Sequence, residues 1–308
     1  MKTLKKLIII IPFLLGFGAC DYIEEPTEMR DLEYVFSHGQ ETRGWLARSY
    51  AFIPDPFVAW RSSWNQYHPY IAMADEVDMG IDNEATKAYR INLGDWNPSE
   101  GGFGEKWDPY YKQIRHLHIF LENVKVIPNQ NYIDTQAKVD AMKLEARFLL
   151  AYFHVLLFEQ FGPIPLIKNS VDVQSSIDQL KMERNSVDEV VDYLDQELYD
   201  IAQALPATEP DTKWAGRPVK ASALAVRARL LLYAASPLFN SPNNYHGYEE
   251  FRSLSNHDGK RLFPQAYDAK KWKRAADAAK LIIDMPDYKL HKVSSPTGDP
   301  FVDGYNSY

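Results

Sequence analysis

The sequence predicts an all-α chain built from antiparallel helix pairs with long irregular loops, and three observations carry that prediction. Apolar residues recur at three- and four-residue spacing in several separate segments, the period of a helix with one buried face. Proline or glycine closes most of these segments, since proline cannot continue the hydrogen-bond ladder and glycine supplies a left-handed cap. Finally, only His154 breaks the aliphatic and aromatic run from Phe148 to Phe158. A helix apolar on every side must be enclosed by other helices. That run covers only about half a bilayer at about 1.5 Å per residue, so it reads as a buried pillar rather than a membrane span.

In chain order, the first nineteen residues form a targeting segment. Lys2, Lys5 and Lys6 precede an apolar run from Leu7 to Phe17, and Gly18 and Ala19 lead to Cys20. Cys20 is the only cysteine of the chain, so it has no partner for an internal disulfide. Its position after Phe-Gly-Ala resembles a bacterial lipobox, in which the cysteine receives lipid and becomes the first mature residue. Asp21, Glu24 and Glu25 then form an acidic collar, which reads either as a surface-export signal or as a solvated tether.

A first helix, broken near Ser37 to Gly39, is expected within 29–52 from Leu32, Val35, Phe36, Leu46, Tyr50 and Phe52. The pattern fails from Ile53 to Gly104, where prolines, glycines and asparagines punctuate a stretch that carries Trp60, Trp64, Tyr67, Tyr70, Tyr89 and Trp96. Irregular segments of this length are uncommon in compact proteins and usually functional. Helical spacing returns over 107–127, ended by Pro128, and over 137–161, ended by Gly162 and Pro163. Pro163 to Ile167 should be extended. Over 186–205 the amphipathic pattern is clearest, with Ser186 and Glu189 as a capping box. The segment 217–236 alternates small and large residues, which lets a neighbouring helix approach closely. A polar, aromatic insertion from Phe239 to Pro264 leads to a last helix over 266–284, after which the sequence looks loop-like.

The pairs are therefore 107–127 with 137–161 and 186–205 with 217–236. The helix at 266–284 is left unpaired and its outer side exposed. No fixed repeat period is visible. The stray helix points to a truncated product or gene fragment.

The composition, 45% hydrophobic and 13% aromatic over 308 residues, supports a sizeable core. A net charge of −8 is unsuited to a phosphate backbone, so nucleic acid is excluded as a partner. Asp75, Glu76 and Asp78 are close carboxylates, but adjacent loop acids lack the separation of about 5 to 10 Å that a glycosidase holds across a sugar. His68, His116, His118 and His154 lack the spacing of a helical zinc pair, and His154 reads as a satisfied core histidine. Asp78, Asp82 and Asn83 do not match a calcium loop, and Gly101 to Gly104 lacks the Lys-Ser/Thr of a phosphate loop. No catalytic residue, metal or cofactor is assigned.

The aromatic stretch has a chemistry of its own. Sugar faces are C–H patches that stack on Trp and Tyr, while Asn, Asp and Arg hydrogen-bond to hydroxyls. Trp60, Trp64, Tyr67, Trp96 and Asn97 are the candidate ligand contacts, the alternative for each being to pack the loop onto the helices. Trp107 and Trp272, within helices, are assigned to the core.

Five blocks resemble the SusD/RagB-like outer-membrane lipoproteins of Bacteroidetes. Cys20 to Pro26 is similar to the lipidated start and Trp107 to Ile114 to the second-helix signature. Glu145 to Phe153 with Phe161 to Pro165 is the most diagnostic block. Arg184 to Glu189 with Leu205-Pro206, and Gly216 to Pro218 with Ala234 to Pro237, complete the order, and Trp272 to Ile283 fits the following helix. The resemblance implies tetratricopeptide-like helix pairs with long loops over one face, residues 1–19 removed as a signal peptide and 20–308 forming one helical domain. Family members are longer, and the C-terminal region they carry is missing here. It also implies a lipid-anchored, surface-exposed outer-membrane protein, non-enzymatic, that binds a glycan or other nutrient beside a SusC-like TonB-dependent transporter. A surface glycoside hydrolase and a non-binding helical scaffold are the alternatives.

Overall fold

The computed structural model describes residues 31–54, 91–95, 97, 106–172, 174–209, 211–241, 248–294 and 296–307. Among the described residues the architecture is all-helical, and the one β contact is an isolated bridge between Ser255 and Arg261. The helices are α1 (Leu32–Ser37), α2 (Gly39–Arg48), α3 (Trp107–Asn123), α4 (Gln136–Phe161), α5 (Ile177–Leu180), α6 (Val187–Ala204), α7 (Lys220–Ala235), α8 (Tyr248–Ser253), α9 (Lys270–Ile283) and α10 (Pro300–Ser307). Single 3-10 turns follow α2 at Ser49–Phe52 and precede α7 at Thr212–Trp214.

Successive long helices pack on one another, α3 on α4, α4 on α6, α6 on α7 and α7 on α9. The enclosed pillar is α4. Every residue from Phe148 to Phe158 except Tyr152 is buried, and Phe153, Leu157 and Phe158 are wholly so. Its end is set by Gly162, whose φ of +66° only glycine adopts without strain. The Phe239 ring lies 3.4 Å from where a Cβ would stand. Beyond it the chain is extended and tied down through its backbone: Ile167 donates to His154 Nε2, Leu166 to Asn185 Oδ1, and Ile164 accepts from Asn185 N.

The capping box is present: Ser186 Oγ accepts from Glu189 N while Glu189 accepts from Ser186 N at 2.9 Å. The broken first helix is present too, with His38 extended between α1 and α2.

Four expectations are corrected. The last long helix is not unpaired, because Ala275 and Ala278 are buried where α9 packs on α7, and small side chains let the two approach closely. Trp272 is not core but 42% exposed, at the edge of the face that carries Ala275 three residues on. The chain after 284 is not only loop. Asp299 Oδ1 accepts from Phe301 N at 2.9 Å and Pro300 follows it, a cap with proline at the first helical position, and α10 starts there. Finally, α3 ends at Asn123 rather than 127, since Pro128 would clash with the carbonyl of residue 124 in a continuing helix. Val124 and Ile133 are buried all the same, in the turn that leads to α4.

Candidate functional site

Of the candidate ligand contacts, Trp60, Trp64, Tyr67 and Trp96 lie outside the described residues, as do Cys20, His68, Asp75, Glu76 and Asp78. Asn97 is described and exposed. Trp107 packs on the core, edge-on to Phe161 at 5.0 Å.

Each described histidine of α3 and α4 holds backbone. His154, wholly buried, accepts from Ile167 N through Nε2, so its proton sits on Nδ1, which donates to Leu150 O at 2.9 Å. Burial lowers its pKa to about 4 and keeps the ring neutral. His118 Nε2 meets Ile167 O at 3.0 Å, which fastens the same extended segment. His116 stacks on Trp45 at 4.2 Å, and each side chain bonds the other's main-chain carbonyl. Among the described residues no group of three His, Cys, Asp or Glu could hold a metal ion.

The chemistry that the structure does bring together lies where the 3-10 turn after α2, the first half of α4 and the loop before α7 converge. Two adjoining cavities open there, of about 320 Å³ and 670 Å³, and Glu145 and Arg217 line both. Tyr50 Oη donates to Glu145 Oε1, and Arg217 Nε stands 3.6 Å from Glu145 Oε2. Burial raises the Glu145 pKa, opposed by the Tyr50 hydrogen bond and by the charges of Arg217 and Arg43. Burial, with the charge of Glu145, also raises Tyr50. With both oxygens engaged, Glu145 serves as a wall between the cavities.

Above that wall sits an aromatic and cationic group. The Arg43 guanidinium lies 3.7 Å from the centroid of Trp214 and 4.5 Å from that of Tyr132. Arg217 lies 4.4 Å from the same Trp214 ring, and Tyr132 meets Trp214 edge-on at 6.3 Å. Sequence reading missed this group, because it joins α2, the turn before α4 and the loop before α7. The one signal was a tryptophan, Trp214, in an otherwise polar, proline-bearing loop.

A family model described as "Starch-binding associating with outer membrane", SusD-like, matches residues 48–232, more than half of the chain. The chain belongs to the SusD-like family. The match runs through the aromatic segment as well as through α3, α4, α6 and most of α7. Among solved structures, BT4246 is 25% identical with a TM-score of 0.61, over 83% of this chain and 42% of that one. A SusD-like carbohydrate-binding protein from Bacteroides fragilis matches at 20% identity and TM-score 0.56, over 83% of this chain and 42% of that one. Surface glycan-binding protein A from Bacteroides uniformis matches at 18% and 0.52, over 82% and 47% respectively. These neighbours carry the tetratricopeptide-type fold expected from the sequence. The chain spans less than half the length of each. No curated protein matches the sequence. Among the described residues, no helix is long and apolar enough to cross a membrane.

Proposed function

We propose that this SusD-like protein is a lipid-anchored protein of the outer-membrane surface that captures a glycan, or another nutrient, without turning it over. It then passes the ligand to a SusC-like TonB-dependent transporter. The observation that carries the reading is the span of the family match, which takes in both the helical layer and the aromatic segment between Ile53 and Gly104. The glycan-binding relatives with the same fold support it. In this reading Trp60, Trp64, Tyr67, Trp96 and Asn97 stack on and hydrogen-bond to sugar, α4 supports the scaffold, and Cys20 carries the lipid.

Affinity electrophoresis of the full chain through gels that contain single polysaccharides tests the binding. Retardation by at least one polysaccharide is expected, with its loss in a Trp60→Ala/Trp64→Ala/Tyr67→Ala variant. Release of reducing ends from that polysaccharide would make the protein a hydrolase. Free migration in every gel would leave a scaffold. The anchor has its own test: Cys20→Ser is expected to abolish palmitate labelling and membrane association, and an unchanged membrane fraction would overturn it.

A further inference from the structure

The 320 Å³ cavity has a charge that the rest of the chain does not lead one to expect. The protein carries a net charge of −8, yet among the described residues Arg43, Lys213 and Arg217 line this one cavity against a single carboxylate, Glu145. That carboxylate is already engaged by Tyr50 and Arg217. Among the described residues no carboxylate lies within ion-pair distance of either Arg43 or Lys213. Cations that outnumber the carboxylates of a cavity give it a positive potential that attracts an outside anion.

Arg43 is also held in a particular way. The Arg43 guanidinium lies over the Trp214 ring, with the perpendicular Tyr132 ring 4.5 Å away, and these contacts confine the cation, whose N–H donors lie along the edge of its own plane. Cation–π contact satisfies none of those donors. A planar, two-oxygen acceptor such as a carboxylate meets that edge with two parallel hydrogen bonds, and a sulfate offers the same pair of oxygens. Arg217 is oriented likewise, by the Trp214 face and by Glu145. Trp214 thus acts here as a platform for cations.

The cavity is in the size range of small-molecule sites. Its wall includes Tyr50, three residues before the aromatic segment begins at Ile53.

We propose that this cavity is a subsite for an anionic substituent of the bound saccharide, the carboxylate of a uronic acid or a sulfate ester, held by Arg43 and Lys213. The inference rests on the glycan-binding reading and narrows it to acidic glycans.

The test is calorimetric titration of the full chain with three probes: an oligogalacturonide, the same oligosaccharide with its carboxyls reduced to alcohols, and a sulfated galactan oligosaccharide. One acidic probe is expected to bind at least tenfold more tightly than the reduced one, the preference fading as salt is raised. Removing one charge-assisted contact should weaken it about tenfold. Arg43→Gln and Lys213→Gln are both made, because Lys213 is exposed and its replacement leaves the fold untouched. Acidic binding unchanged in both variants, or equal affinity for the reduced and acidic probes, would overturn the subsite while leaving glycan binding intact. Binding of neither acidic probe, with retardation by a neutral polysaccharide, would do the same. No binding of any saccharide would overturn both readings together. The preference of one acidic probe over the other tells carboxylate from sulfate.

Discussion

Asp195 is the residue whose loss the structure predicts to be most disruptive at the junction of α6, α7 and α9. It projects from α6 and is 9% exposed. Arg227 of α7 places Nε 2.6 Å from Asp195 Oδ1, but the N–H is too oblique for a hydrogen bond, so this contact is an ion pair without a directional bond. Arg274 of α9 donates Nε to Asp195 Oδ2 at 3.0 Å and a second N–H to Asp192 Oδ1 at 2.7 Å. The two arginines differ in what remains after Asp195→Ala. The Arg227 side chain is 14% exposed and would be left as a nearly buried cation without its partner, a change that costs about 3–5 kcal/mol. Arg274, at 38%, keeps Asp192 and water and adds at most about 1 kcal/mol. Taking the lower half of the first range because some water reaches Arg227, the expected cost is about 3–4 kcal/mol. With an unfolding entropy of about 2.1 cal/mol/K per residue, 308 residues give about 0.65 kcal/mol/K, so Tm should fall by about 5–6 °C. Circular dichroism at 222 nm through a thermal ramp reads this, with Arg274→Ala as the control expected to fall by about 2 °C or less. An Asp195→Ala Tm within about 1 °C of wild type would refute the reasoning. So would an Arg274→Ala variant as damaged as Asp195→Ala, which would mean that the buried Arg227 is not the source of the cost.

Two further outcomes follow from the pillar helix. Gly162→Ala forces a Cβ onto a φ of +66° and against the Phe239 ring, so a loss of more than about 1 kcal/mol is expected in urea unfolding; a change under about 0.3 kcal/mol would show the turn to be indifferent to the side chain. For Glu145 the sign runs with burial: a carboxyl whose folded pKa is raised takes its proton more readily when folded, so it disfavours folding above that pKa and ceases to as the pH falls through it. Wild type should therefore gain Tm relative to Glu145→Gln between about pH 7 and the ordinary carboxylate value of 4.5, and parallel pH profiles would contradict this.

What the sequence determined by itself is local. The period of apolar residues placed the long helices, because one buried face imposes it regardless of the neighbour that covers the face. Ser186 with Glu189, and Gly162 before Pro163, located their helix ends, because caps are satisfied within a few residues. The missed helix α10 also had its local signal, Asp299-Pro300, within a stretch that otherwise reads as loop. The family blocks were legible for the same reason, each being a short run of neighbours.

Only the tertiary structure decided what such runs face. Trp272 and Ala275 lie on one amphipathic helix, but the side of α9 that α7 covers was fixed by close approach through Ala275 and Ala278, which left the larger residue at its edge. The bond from Tyr50 to Glu145 joins residues 95 apart, and the Arg43 stack on Trp214 joins α2 to the loop before α7. No periodicity or spacing encodes such meetings. They arise when separate helices are pressed together to bury their apolar faces, and the charges carried along at the edges then meet in one cavity.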